Sequence, residues 1–170
     1  MISNLFFSPN GRLARRQYWL GFVALCIFVI SGNAALRALG FESMLGFFLG
    51  LIFPFLTVYM FYNLFAKRLH DFGCSVRPFF VMIALELVAM IVVMLIFGGA
   101  EYFAEFSQYS PDSDIDPAVA ADITARYQER MKVSQPWIEP LLMLVPMLFA
   151  AWTGLSKPDE GDNAYGSPAV

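Results

Sequence analysis

The fold is decided by residues 44–66, which read MLGFFLGLIFPFLTVYMFYNLFA and contain no charged side chain. A helix needs about 20 apolar residues to cross the hydrocarbon core of a bilayer. Three further runs of similar length and apolar character lie at residues 18–36, 79–100 and 138–155. Because hydrocarbon offers no water to backbone N–H and C=O groups, a segment that spans it must be helical. The sequence therefore predicts an all-α integral membrane protein, a four-helix bundle with four spans.

Composition supports this class and argues against several others. The chain has 170 residues, of which 58% are hydrophobic and 15% charged, and this is too apolar for an ordinary soluble domain. A net charge of −3 without a broad basic patch argues against nucleic acid as a partner. Two cysteines, Cys26 and Cys74, cannot form a disulfide framework and are predicted to be free thiols.

The placement of basic residues orients the four spans. Basic side chains precede the first run, fill the connection between the second and third, and follow the fourth: Arg12, Arg15, Arg16, Lys67, Arg68, Arg77 and Lys157. The positive-inside rule then places both termini and the 67–78 connection in the cytoplasm, and the 101–136 segment outside. We expect residues 1–157 to form one membrane domain. Residues 158–170, rich in Gly, Pro, Ser and acids, are expected to form a flexible cytoplasmic tail.

The first run allows a second interpretation. Arginines, an apolar stretch at 20–30 and small residues at 31–35 also resemble a secretory signal with a cleavage site. We favour a retained helix, because the run continues to Leu36 and the segment before it has turn and helix signals of its own.

The outward segment, residues 101–136, is predicted to be part loop and part helix. Residues 109–117 are acidic and contain prolines, and Asp116 followed by Pro117 is a helix start signal. From there apolar residues recur every four positions to about Lys132, at Val119, Ile123, Tyr127 and Met131. This pattern predicts a short amphipathic helix in the outward connection.

Two polar segments lie at the predicted cytoplasmic ends of the spans. Residues 8–11, SPNG, have the chemistry of a tight turn, and Arg12, Arg15, Arg16 and Trp19 then share one helical face. Such a face anchors a helix at the membrane boundary, or binds an anionic lipid or a partner. Both interpretations remain open.

The second polar segment is the 67–78 connection. Gly73 there permits a positive φ, and Pro78 suits the first turn of the next helix. His70, Asp71 and Cys74 are metal-ligand types, but they lack a fourth ligand at suitable spacing, so we predict no metal and no other cofactor. We expect Asp71 to pair with one of the nearby arginines (Arg12, Arg15, Arg16 or Arg68) or to cap a helix.

These segments carry a family resemblance. The chain has Gly11-Arg12-x-x-Arg15-x-x-Tyr18-Trp19, then Arg68-Leu69-His70-Asp71-x-Gly73-x-Ser75, and a less specific closing pattern at residues 161–168. This combination resembles the bacterial membrane family called domain of unknown function 805. The resemblance implies a helical protein of the bacterial inner membrane whose biochemical role is not established, and it implies no catalytic residues.

Three of the polar residues within the spans are candidates for a functional or structural role: Tyr59, Asn63 and Glu86. Glu86 is predicted about 12 Å into the membrane, level with Tyr59 of the neighbouring span. A carboxylate at such depth usually faces the protein interior. It is either a proton or cation site, or a protonated group that hydrogen-bonds Tyr59 or another interior donor. Asn63 is interpreted as a hydrogen-bonding residue between helices.

Three functions follow as hypotheses. The first is a non-enzymatic module that binds anionic lipid or a protein partner through a basic and aromatic cytoplasmic face: Arg12, Arg15, Arg16, Trp19, Arg68, His70 and Asp71. The second is a small transporter or proton-coupled carrier centred on Glu86. The third is an interfacial lipid-acting enzyme, which requires His70 and Asp71 to share an open cleft. A homodimer is a further hypothesis, because Gly46 and Gly50 form a small-xxx-small pair.

Overall fold

The computed structural model describes residues 2–40, 42–109 and 115–168, and all regular structure within these ranges is helical. The helices are α1 (Ile2–Phe7), α2 (Arg15–Leu39), α3 (Met44–Asp71), α4 (Arg77–Met94), α5 (Ala100–Phe106) and α6 (Pro117–Leu155). Four helical stretches in the described residues are long and apolar enough to cross a membrane: α2, α3, α4 with α5, and α6. The predicted all-α, multi-pass membrane class is confirmed.

The ends of α3 follow from local side-chain and backbone chemistry. Ser43 precedes the helix, and its hydroxyl accepts a hydrogen bond from the Gly46 N–H at 3.0 Å. At the other end Gly73 has φ +73°, while the Cys74 N–H donates to the Leu69 carbonyl at 2.9 Å. This is a glycine-terminated helix end of the Schellman type. The predicted role of Gly73 is confirmed, and Pro78 is the second residue of α4 as expected.

Two stretches differ in continuity from the sequence prediction. A π-helical segment, Leu95–Gly99, joins α4 to α5, and a kink there has φ +119° at Gly98. The predicted amphipathic stripe is helical, but it is the first part of α6 and not a separate helix. Pro136 lies inside α6 and does not end it. A proline removes only one helical hydrogen bond, and transmembrane helices tolerate that loss. With 39 residues, α6 is about 58 Å long, against a bilayer core of about 30 Å.

The chain divides into two compact units. The first comprises Met1–Phe80 with Ala150–Val170, and the second Val81–Phe149. In the first unit α1 and α2 pack against α3, and its fully buried side chains include Tyr18, Leu25 and Leu64. A Cβ at Gly154 would lie 2.4 Å from the Trp19 ring, so the end of α6 approaches α2 closely through a glycine.

The second unit joins α5 to the first part of α6. The rings of Tyr102 and Tyr127 lie 4.9 Å apart between their centroids. Arg126 pairs with Glu105 at 2.7 Å and with Asp122 at 3.1 Å, and the second pair joins residues four positions apart on α6. These ion pairs are solvent-exposed or half-buried, and such pairs contribute little each, about 0–1 kcal/mol.

Candidate functional site

Asp71, the last residue of α3, pairs with two arginines. Its Oδ1 lies 3.2 Å from Arg12 Nε, and its Oδ2 accepts a hydrogen bond from Arg68 Nη1. All three side chains are buried, at 1% exposure or less. The predicted arginine pairing of Asp71 is therefore present, and its partners are Arg12 and Arg68. We call these three residues the arginine clasp.

Arg12 connects the clasp to the C-terminal tail. Its Nη1 donates to the carbonyls of Gly161 at 2.7 Å and Gly166 at 3.3 Å. Its Nη2 donates to the carbonyls of Asp71 at 3.0 Å and Asp159 at 2.5 Å. With the Nε bond to Asp71, all five guanidinium N–H donors are engaged. Arg12 therefore has no donor left for a ligand.

Arg68 holds two other parts of the first unit. Its Nε donates to the Thr153 carbonyl at 3.0 Å, and its Nη2 donates to the Ser156 carbonyl, both at the C-terminal end of α6. Its Nη1 also donates to the Leu13 carbonyl at 3.3 Å, before α2. The segment before α2 and the ends of α3 and α6 are thus held at one end of this unit.

The tail is docked on the same end, unlike the flexible tail expected from its composition. The Asp159 N–H donates to the Asp71 carbonyl at 2.9 Å, and Asn163 Nδ2 donates to the His70 carbonyl at 2.9 Å. The Tyr165 ring stacks on His70 with a centroid distance of 3.8 Å and an interplanar angle of 4°. Composition does not predict this attachment, because the tail is held through backbone carbonyls and one ring and not through an apolar core.

His70 and Asp71 do not form an acid–base pair in an open cleft. The Asp71 carboxylate is held by two arginines, while the His70 ring stacks on Tyr165. The His70 Nδ1 is buried and has no hydrogen-bond partner in the described part of the chain. Within the same ranges no group of three metal-ligating side chains is found. The geometry gives the interfacial-enzyme hypothesis no support.

The other predicted face residues have different surroundings. Arg15 is exposed and donates from Nη2 to the carbonyls of Leu155 at 3.0 Å and Ser156 at 3.1 Å. Arg16 is exposed and has no polar partner among residues 2–40, 42–109 and 115–168. Trp19 packs edge-on against Tyr18 and covers Gly154. Arg16 is thus an exposed cation of the predicted face without a polar partner in the described residues.

Three polar side chains of α3 hold α1. The Tyr59 hydroxyl donates to the Phe7 carbonyl at 3.2 Å, Asn63 Nδ2 donates to the Phe6 carbonyl at 2.9 Å, and Lys67 Nζ donates to the Asn4 carbonyl. The last carbonyls of a helix lack partners within it, so these donors satisfy groups that α1 leaves open. The sequence interpretation missed this role. Its signal was the spacing of four residues between polar side chains on one face of an apolar helix.

A cavity lies between α1, the start of α2 and Lys67. Its volume is about 430 Å³, and its lining residues are Asn4, Leu5, Asn10, Arg12, Leu13, Gln17 and Lys67. Two of these residues are cations, and none of the described residues that line it is a carboxylate. We call it the cationic pocket.

The family comparison matches the region that builds this end of the molecule. The family model described as protein of unknown function (DUF805) matches residues 6–108, more than half of the chain. The chain belongs to the DUF805 family. Both motifs that carry the resemblance, at residues 11–19 and 68–75, lie within the DUF805 match, while the 161–168 pattern lies beyond it. Searches of curated proteins and of solved structures find no match.

In this DUF805 chain the two motifs meet in space. Arg12 from the first and Arg68, His70 and Asp71 from the second form the clasp and the ring stack with the tail. The residues that identify the family here therefore carry tertiary contacts.

Glu86, the remaining candidate of the DUF805 chain, belongs to the second unit. It lies on α4, and its Oε2 is buried without a hydrogen-bond partner in the described residues. The Tyr59 hydroxyl, which was predicted as its donor, bonds the Phe7 carbonyl in the first unit.

Proposed function

We propose that this DUF805 protein is a non-enzymatic module of a bacterial inner membrane, and that its cytoplasmic end binds anionic lipid headgroups. The observation that carries the proposal is the charge balance at that end of the first unit. Arg12 and Arg68 share one carboxylate, Asp71, while Arg15 and Arg16 remain exposed and pair with no acid in the described ranges. Exposed cations near an anionic membrane surface contribute about 1 kcal/mol each to lipid attraction.

The proposal divides the predicted face into two parts. The arginine clasp is a frame, because its guanidinium groups are buried and bonded to Asp71 and to backbone carbonyls. Arg15 and Arg16 are the lipid-contacting part, since their side chains reach solvent on the first turn of α2. Trp19 supports them by packing against Gly154.

The test compares the lipids that surround purified protein. Protein is extracted with its surrounding lipid from membranes that contain equal amounts of phosphatidylglycerol and phosphatidylcholine. The ratio of the two lipids is then measured. The unmodified chain should enrich the anionic lipid, and the double variant Arg15→Gln with Arg16→Gln should lose most of that enrichment. Arg37→Gln, at the other end of α2, is the matched control. The same enrichment in the double variant and in the unmodified chain would overturn the proposal.

A second candidate function is a proton-coupled carrier, and the buried, unbonded Oε2 of Glu86 favours it. A carboxyl group with one unsatisfied oxygen in a membrane span is where a proton or cation would bind. Protein reconstituted in vesicles with an imposed pH gradient gives the test. Dissipation of the gradient by the unmodified chain but not by Glu86→Gln would support the carrier. Equal leakage from both would exclude it.

A further inference from the structure

Lys67 is a buried cation, and the one carboxylate of the arginine clasp, Asp71, pairs with Arg12 and Arg68 and not with Lys67. Its residue exposure is 6%, and no carboxylate lies within salt-bridge distance of it in the described part of the chain. Its Nζ donates one hydrogen bond, to the Asn4 carbonyl, although an ammonium group has three N–H donors. A buried charge is costly unless an opposite charge and hydrogen bonds compensate it. An anion with acceptor oxygens would compensate this charge.

The cationic pocket supplies the space for that anion. Lys67 lines it beside Asn4 and Asn10, whose side-chain amides make no hydrogen bond with the described residues. The neighbouring Arg12 adds positive charge, which Asp71 only partly offsets because Arg68 shares the same carboxylate. An anion in this pocket would meet N–H donors from Lys67 and the amides, and it would meet no acidic side chain among the described lining residues.

The size and the apolar lining indicate an amphiphile. A volume of about 430 Å³ falls within the usual range of small-molecule sites, about 300–1,000 Å³, and leaves room beyond one phosphate group. Leu5 and Leu13 supply apolar walls. Lys67 is the first charged residue after the apolar run 44–66, so the pocket lies where the apolar part of α3 ends.

We propose that the cationic pocket binds the phosphate group of one anionic phospholipid, with Lys67 as its counter-charge and the amides of Asn4 and Asn10 as further donors. A phosphodiester with one negative charge matches the one ammonium group among the described residues that line the pocket. This inference rests on the proposed lipid-binding function and deepens it: Arg15 and Arg16 attract exchangeable lipid, whereas the pocket retains a single molecule.

The experiment counts lipids that remain on the full chain after extensive detergent washing, by native mass spectrometry with added phosphatidylglycerol or phosphatidylcholine. The unmodified chain should retain one phosphatidylglycerol, and Lys67→Met should weaken that binding about tenfold or more. Lys67→Arg, which keeps the charge, should retain most of it. Inorganic phosphate is added in a parallel titration, and it should not displace the lipid or raise the melting temperature at millimolar concentration. Stabilisation by phosphate equal to that by lipid would overturn the lipid as the ligand.

A second variant guards against loss of folding, because Lys67→Met also removes the bond to Asn4. Asn10→Asp is isosteric, lies in the turn before α2 and places a negative charge in the pocket. It should weaken retention about tenfold. Ser75→Asp is its control, since it adds the same charge to an exposed position outside the pocket lining. Equal effects of Asn10→Asp and Ser75→Asp would overturn the pocket as the site.

The two proposals fail in distinguishable ways. If Lys67→Met retains its single lipid while the Arg15 and Arg16 double variant loses anionic enrichment, the pocket proposal fails and the proposed function stands. If the unmodified chain shows no enrichment of anionic lipid, the proposed function fails. A single lipid retained by the pocket would then still support the pocket proposal.

Discussion

At the scale of single residues, Arg12 joins the end of α3 to the tail. Its planar guanidinium group reaches the Asp71 carboxylate and four carbonyl oxygens, three of them in residues 159–166. A lysine would offer three donors on a compact ammonium group and no planar fork, so the two cations are not equivalent here.

Arg12→Lys should therefore release the tail while keeping a charge beside Asp71. We expect the free energy of unfolding to fall by about 2 kcal/mol, because several charge-assisted hydrogen bonds to carbonyls are lost. A glutamate-specific protease should cleave the variant after the exposed Glu160 at least about tenfold faster, as read by mass spectrometry. Arg16→Lys changes an exposed arginine without described polar partners and serves as the control. Equal cleavage rates in the two variants would contradict the role of Arg12.

The Asp71 pairing could be predicted from the sequence, whereas the tail contacts could not. One acid among several cations must pair with one of them if it is buried. Backbone carbonyls, in contrast, are the same in every residue and have no signature in the sequence. Their use as acceptors 147 to 154 positions away from Arg12 appears only in the folded chain.

At the scale of elements, the six-residue α1 depends on α3. A helix this short is not stable alone in water, since too few hydrogen bonds offset the cost of its first turn. Asn63 is fully buried, and its amide bonds both the Phe6 carbonyl of α1 and the Tyr59 carbonyl of its own helix. Asn63 is therefore the central attachment of α1.

Asn63→Leu should detach α1 at similar side-chain volume. The Phe6 carbonyl would lose its donor, and we expect the free energy of unfolding to fall by about 1–3 kcal/mol. Hydrogen exchange of residues 2–7 should become faster, with the main part of α3 unchanged. Asn33→Leu is the matched control, because Asn33 is exposed on α2 and bonds only the Val29 carbonyl of its own helix. Protection of residues 2–7 at the unmodified level in Asn63→Leu would exclude this attachment.

The helical spans were predictable because an apolar run of bilayer length allows few alternatives. Their continuity was harder to predict. The π segment ends in a Gly98-Gly99 pair within an apolar run, and α6 passes through Pro136 without ending. Glycine and proline each permit a break, and only tertiary packing decides whether a break is made.

At the scale of the whole molecule, the clasp constrains topology. Arg12, Asp71 and residues 159–166 meet at one end of the first unit, so these three segments lie on the same side of a membrane that the helices span. These contacts show that the three segments share one side of the membrane, but they do not identify that side. From the positive-inside rule we predict that this side faces the cytoplasm.

Cysteine labelling tests this orientation. In a background without Cys26 and Cys74, single cysteines are placed at the exposed positions Ser75, Gln108 and Ser167. A membrane-impermeant maleimide applied to intact spheroplasts should label the Gln108 position alone, because the other two lie on the basic side. Labelling at Ser75 and Ser167 should require permeabilised cells. Labelling of the Ser75 position from outside would contradict this orientation and indicate the opposite one.

The large sequence separation between Arg12 and its acceptors in the tail also fixes the order in which these contacts can form during synthesis. Its acceptors at Asp159, Gly161 and Gly166 leave the ribosome 147 to 154 residues after it, which at ordinary translation speeds is a delay of roughly 8–30 s. Before the tail is made, the Nη donors that it will occupy are open to water, while Asp71, made 59 residues after Arg12, is available earlier to the Nε donor. Only when the tail arrives can all five guanidinium donors be satisfied by the protein, so a chain that ends before residue 159 cannot complete the contacts of Arg12.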